Sequence, residues 1–206
     1  LEQLEGLVGS DGLRVFYGMT SNTLRAGQPT LAGMLRDAGW KTGAFVSSFT
    51  ASKQFGLNAG FDTFQSQVAD AVFHGDPSQR PPKDGYWQQK RVASAQRRAD
   101  ATTDEALAWL KQTEAPFFMW VHYFDPHDPS LVPPQELLSR WGAQPDSPLA
   151  ALQVYDPEIF FMDEQIGRVL DHLRQTDQYD NTIIVIVADH GQGLGDHNWF
   201  PHRLLY

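Results

Sequence analysis

Phe117-Phe118-Met119-Trp120-Val121-His122-Tyr123-Phe124 is aromatic and apolar without alternation. A strand with one wet face alternates with a period of two, so an unbroken apolar run reads as a strand covered on both faces. Pro116 precedes it, and Pro126, Pro129, Pro133 and Pro134 follow it at once. Upstream, a long helix is expected with Ala99, Ala106, Leu107 and Leu110 toward the core, broken by Pro116. Further back, Leu31, Met34, Leu35 and Ala38 recur at helical spacing, with Thr30 as cap and Gly39 as stop. Thr42–Ser47 then reads as a short buried strand. Downstream, Asp156 suits a helix cap with Pro157 at the first position. The stripe behind it is Ile159, Met162, Ile166, Val169, Leu170 and Leu173. Thr182–Ala188 follows as a second fully apolar, β-branched strand. Helix and strand alternating three times predict an α/β fold, a mostly parallel central sheet with helices on both faces.

Residues 1–28 have weak periodicity and stay unassigned, whereas residues 29–206 read as one domain. Residues 65–90 carry Gly75, Pro77, Pro81, Pro82 and Gly85, the composition of a long surface excursion. Repeats and long low-complexity segments are absent. The chain has 206 residues, enough for one substantial core. The longest apolar run, Ile183–Ala188, falls far short of the roughly 20 residues a membrane helix needs. No charged-then-apolar leader opens the sequence at Leu1-Glu2-Gln3. A net charge of −9 argues against nucleic acid as a partner, since phosphates repel an acidic surface. With no cysteine, disulfides and thiolate metal sites are excluded, and the redox compartment is not legible.

In parallel α/β sheets, sites form beyond the carboxyl ends of the strands. The run at 117–124 leads into Asp125-Pro126-His127-Asp128-Pro129. The run at 182–188 leads into Asp189-His190-Gly191, then Gly193, Gly195, Asp196, His197 and His202. Of 7 histidines, His122, His127, His190, His197 and His202 all fall in these two regions. If the two strands are neighbours, both clusters open on one edge of the sheet. An aspartate beside a histidine at a glycine-rich strand end suits a metal: the carboxylate brings charge, the imidazole a neutral nitrogen. Taken alone, an Asp-His-Gly reads better as a turn cap at Asp189 with His190 packed as a polar residue. The preceding strand and the second histidine cluster favour ligands. His127, hemmed by prolines, suits a hydrogen-bond donor or general acid because imidazole titrates near neutrality; the alternative is a turn histidine packed on Tyr123 or Phe124. His122 reads as core, His74 and His172 as loop and helix surface.

These residues resemble the sulfatase family of the alkaline phosphatase superfamily. Thr30-Leu31-Ala32 with Leu35, Ala38 to Thr42 and Ala44 to Ser47 is similar to the segment after the nucleophile in bacterial sulfatases. Gly56-Leu57 with Gly60-Phe61-Asp62 resembles the next landmark. PFFMWVHYFDPHDP (116–129), the Met-Asp-Glu-Gln-Ile-Gly core of 155–170 and NTIIVIVADHGQGLGDH (181–197) complete the series in order. The resemblance covers Pro29 to Tyr206. It implies hydrolysis of a small-molecule or glycan sulfate ester with a divalent metal, usually calcium. Zinc or manganese would go with the alternative, a phosphoric ester hydrolase or phosphoethanolamine-type transferase of the same superfamily. A non-catalytic remnant is the third reading. Carried over, Asp189 and His190 are metal ligands. His127 contacts the sulfate or assists the leaving group, and His202 takes the place of a basic residue that holds the ester oxygens. The resemblance is compatible with periplasmic export or secretion.

The pattern departs in three places. The family's Cys-or-Ser-x-Pro-x-Arg nucleophile motif, whose first residue becomes formylglycine, occurs nowhere, and Asp76-Pro77-Ser78-Gln79-Arg80 has the wrong order. The resemblance therefore implies a partial chain whose nucleophile and remaining metal ligands lie before Pro29, inactive by itself. Many arylsulfatases carry Gly-Lys-x-His after the first strand, where Ser47 and Phe49 stand in place of the lysine and histidine. Gln192 stands where the family commonly has glutamate.

Overall fold

The computed structural model describes residues 14–16, 19–21, 24–66, 96–127, 131–144 and 150–194, in two compact units, Leu1–Phe124 and Asp125–Tyr206. The excursion expected at 65–90 falls almost wholly outside the described residues, as do His74, His197 and His202.

In the first unit, β1 (Arg14–Phe16) and β2 (Met19–Ser21) pair antiparallel, within the segment that the sequence left unassigned. Next come α1 (Leu31–Asp37), β3 (Lys41–Val46), β4 (Thr63–Gln65), α2 (Ala99–Leu110) and β5 (Phe117–His122). The order β4-β3-β5 is parallel throughout, with β3 and β5 in register from Lys41↔Phe117 to Val46↔His122. Parallel neighbours require crossovers, and α2 lies in the connection from β3 to β5. The central strand β3 is buried from Thr42 to Val46. On β5, successive side chains alternate faces. The Trp109 ring meets Phe117 edge-on at 6.0 Å, whereas Phe61 stacks at 5.8 Å on Phe118 and 6.2 Å on Trp120. Each face of this strand thus meets an aromatic ring, but all six residues stay partly exposed, because β5 is an edge strand of the described sheet and is not fully covered as its unbroken apolar run predicts.

Local chemistry sets the element ends. Thr30 caps α1, its Oγ1 accepting from Gly33 N–H at 3.0 Å and donating to the Ala59 carbonyl at 2.9 Å. That satisfies one of the orphan donors at the helix start. The α1 stripe is not the buried one, however. Leu31 and Met34 are 60% and 65% exposed, and Ala32 is the residue that packs inward. The turn into β4 is tied to β3 at Thr42, whose Oγ1 accepts from Asp62 N–H at 2.9 Å. The Thr42 main-chain N–H donates to Asp62 Oδ2 at 3.2 Å. Gly60 reaches φ +91° there, so close to α1 that a Cβ would lie 2.2 Å from Gly33 N.

The second unit begins with a single 3-10 turn at Asp125–His127, followed by α3 (Gln135–Trp141), the long α4 (Ala150–Gln175) and a turn at Tyr179–Asn181. Leu138, Val154, Phe161, Val169 and Leu173 are buried. Two expectations fail here. First, α4 begins at Ala150, so Pro157 lies inside the helix rather than at its start. Proline inside a helix costs about 3 kcal/mol. Full burial of Val154 and Pro157, with Phe161 a turn later, outweighs that local preference. Second, no strand forms over 182–188. Ile183, Val185 and Val187 are 93%, 75% and 82% exposed. A β-branched run favours a strand only where a neighbouring ladder and a covering layer exist. Among the described residues, this segment has no strand partner, and no helix is long and apolar enough to cross a membrane.

Candidate active site

Asp189 and His190 come directly after the apolar run and lie against each other. His190 N–H donates to Asp189 Oδ1 at 2.9 Å, and His190 Nε2 stands 3.5 Å from Asp189 Oδ2. On the far side of the ring, Nδ1 lies 2.9 Å from the Gly191 carbonyl oxygen. A carbonyl can only accept, so a proton on Nδ1 satisfies it and leaves the Nε2 lone pair beside the carboxylate. The Asp189 side chain is 88% exposed and that of His190 35%. Two donors bound at right angles to one cation, each about 2.1–2.5 Å away, stand about 3.0–3.5 Å apart. The pair fits that spacing, and a carboxylate oxygen with an imidazole nitrogen is a donor set that divalent cations accept. The pair is only part of a coordination sphere: among the described residues no three His, Asp or Glu side chains converge as a metal site.

His127 ends the 3-10 turn and is exposed, while Asp125 at the head of that turn is buried. The turn thus holds a buried aspartate at its head and a solvent-exposed histidine at its end. His122, read as core, is the last residue of β5, flanked by the rings of Trp120 at 5.8 Å and Phe124 at 6.1 Å. His202 lies outside the described residues.

At the carboxyl end of β3, the side chains standing where arylsulfatases have lysine and histidine turn inward. Ser47 is buried, and its Oγ shares a 2.6 Å hydrogen bond with Thr102 Oγ1 on α2. Phe49 is buried and meets the Phe55 ring edge-on at 5.4 Å. Neither side chain is placed for a ligand. Among the described residues, Arg97 brings a cation to this edge, one that the motifs above do not include. Its main-chain N–H donates to the Ser47 carbonyl at 2.8 Å, while Nε donates to the Val46 carbonyl at 3.1 Å and Nη2 to the Gln65 carbonyl at 3.4 Å. Burial pushes its guanidinium below the ordinary arginine value, with Glu105 pulling the other way. The available signal was the Arg97-Arg98 pair immediately before a helix start, where cations oppose the helix dipole and call for another reason.

The Sulfatase family model matches residues 7–204, so the chain belongs to the sulfatase family. It is 27% identical over 154 residues to the uncharacterized sulfatase YdeN of Escherichia coli K12, a match taking in 70% of this chain and 25% of that protein. Over a shorter stretch of 52 residues it is 44% identical to an N-acetylglucosamine-6-O-sulfatase of Bacteroides thetaiotaomicron, covering 25% of this chain and 9% of that one. In fold it is similar to the phosphonate monoester hydrolase of Agrobacterium radiobacter. The TM-score is 0.57 at 17% identity, over 90% of this chain and 51% of the other. That likeness shows the α/β fold, which the two chains share. The chain spans about a quarter of the length of YdeN and about half that of the hydrolase.

Proposed function

We propose that the protein carrying this chain hydrolyses sulfate esters of small molecules or glycans, using a divalent cation, calcium, held in part by Asp189 and His190. The observation that carries this reading is the Asp189–His190 pair, with its Nε2 and Oδ2 3.5 Å apart, in a chain of the sulfatase family. When bound, such a cation draws electron density from the ester oxygens and lowers the pKa of a nucleophilic hydroxyl. Asp189 would bring negative charge toward it, and the tautomer with its proton on Nδ1, facing the Gly191 carbonyl, is the one that offers Nε2 to a cation. His127, exposed and pinned by its turn, protonates the bridging oxygen as the ester bond breaks, assistance that typically contributes about 10²–10⁴-fold. His202 holds the non-bridging oxygens. The nucleophile is a formylglycine hydrate from a Cys- or Ser-x-Pro-x-Arg segment that residues 1–206 do not contain.

The test is product analysis on the intact protein. Sulfate release from aryl and sugar sulfates, together with the formylglycine mass change on an upstream peptide, is the expected result. Release of phosphate or phosphonate products with an unmodified Thr or Ser nucleophile would move the assignment to the phosphoric ester branch. Metal retained without turnover of either ester would leave the non-catalytic reading.

A further inference from the structure

Arg97 is a half-buried cation without a counter-ion in contact among the described residues. Its neighbour Arg98 pairs with Asp100, but no carboxylate lies within ion-pair distance of Arg97 among the described residues. Glu105 acts on it only at longer range. A partly desolvated charge held by neutral carbonyls alone is costly, and it lowers that cost by meeting an anion. The two carbonyls it bonds, Val46 and Gln65, are the last residues of β3 and β4. They aim the guanidinium along the carboxyl edge of a parallel sheet, where α/β ligands bind. Nη1 makes no hydrogen bond among the described residues, and with the second Nη2 hydrogen it leaves the fork that recognises an oxyanion. Ser47 and Phe49, at the positions where a sulfate-binding pair would be sought, face the core instead.

We infer that Arg97 is an oxyanion-binding residue of a site at the carboxyl edge of β3 and β4. The inference rests on the sulfate-ester reading above for the identity of the substrate, but not for the existence of the anion site. The oxyanion is the ester's sulfate or a carboxylate on the alcohol that carries it.

The experiment uses the intact protein with Arg97→Met and Arg97→Lys. Calorimetry gives the Kd of inorganic sulfate; kcat and KM are measured on a sulfate ester of a neutral alcohol and on one bearing a carboxylate. Losing one charge-assisted contact predicts that R97M raises the sulfate Kd and both KM values roughly 10- to 100-fold. The kcat should fall less, and R97K should recover part of the loss. If sulfate binding is unchanged and KM rises only for the carboxylate substrate, the anion is that carboxylate and the site stands. If a folded R97M binds sulfate and both substrates as the parent does, Arg97 merely ties β3 to β4 and the inference is overturned. Should R97M fail to fold, R97K decides: weakened anion binding at unchanged Tm supports the site, and unchanged binding overturns it. A parent that binds sulfate through Arg97 yet cleaves no ester would sink the sulfatase reading and leave the anion site in place.

Discussion

Gly60 is where a motif shared with sulfatases can be converted into a free energy. At φ +91°, an added Cβ would stand 2.2 Å from Gly33 N, 2.6 Å from Gly33 Cα and 2.7 Å from Thr30 Oγ1. Two of these are main-chain atoms in the first turn of α1, which no rotamer change can move aside. Gly60→Ala therefore adds three costs. The left-handed backbone costs about 1–2 kcal/mol for an L side chain. Overpacking against backbone costs about 1–3 kcal/mol. Displacing Thr30 sacrifices a cap worth about 1 kcal/mol. The sum is about 3–6 kcal/mol, a large share of the roughly 5–15 kcal/mol that holds a domain together. Gly39 is the internal control. It also has φ +91°, but its Cβ would meet nothing within 4 Å, so Gly39→Ala should cost only the backbone term. Chemical denaturation of the two variants isolates the steric part as their difference, about 2–4 kcal/mol. Values agreeing within about 0.5 kcal/mol would show that α1 yields to the new methyl, and that the Gly-Phe-Asp landmark is not kept by this close approach.

Thr102→Val strands the buried Ser47 hydroxyl that now shares a 2.6 Å bond with it. Thermal unfolding should show a loss of about 1–3 kcal/mol, and a loss below about 0.5 kcal/mol would mean that Ser47 finds another partner. Asp100 is held below the ordinary carboxylate range, chiefly by the hydrogen bond from Arg98. A depressed folded pKa gives stability that is present above the unfolded value of about 3.9 and is lost as pH falls through the folded one. Asp100→Asn should thus be less stable than the parent at pH 6 and converge with it in acid; a gap unchanged down to pH 2 refutes that linkage. If Asp189 and His190 hold a divalent cation as proposed, Asp189→Asn combined with His190→Gln in the intact protein should lower its metal content in elemental analysis without changing the fold by circular dichroism. Undiminished metal content would remove both residues from the ligand set.

The parts of the fold legible in the sequence are those where local chemistry and burial agree. Thr30 announces a cap and is one, and β5 has an apolar residue on each face because each face meets an aromatic ring, from Trp109 on one side and Phe61 on the other. Legibility fails where a distant partner decides. Pro157 looks like a helix start because its ring suits the first turn, yet burying Val154 extends α4 to Ala150. Arg97 is only faintly legible, through the Arg97-Arg98 pair ahead of a helix, because nothing in a sequence says that Ser47 will turn toward Thr102 while a cation bonds the end of β3.

The run at 182–188 is the sharpest case, because the candidate ligands Asp189 and His190 hang from its end. Composition reads it as a buried strand, yet Ile183, Val185 and Val187 lie open to solvent. Apolar β-branched surface gains about 25 cal/mol for each Å² removed from water, so this segment carries a standing drive toward a ladder and a cover. The local geometry of Asp189 and His190 does not wait for that pairing. The hydrogen bond from His190 N–H to Asp189 and the contact of Nδ1 with the Gly191 carbonyl are made between adjacent residues. What a paired strand would add is rigidity at the root of the pair, and metal affinity depends on that as much as on donor identity. The arrangement of the candidate donors is thus set by sequence neighbours, and the tightness of the proposed site by whatever pairs with the 182–188 segment that carries them.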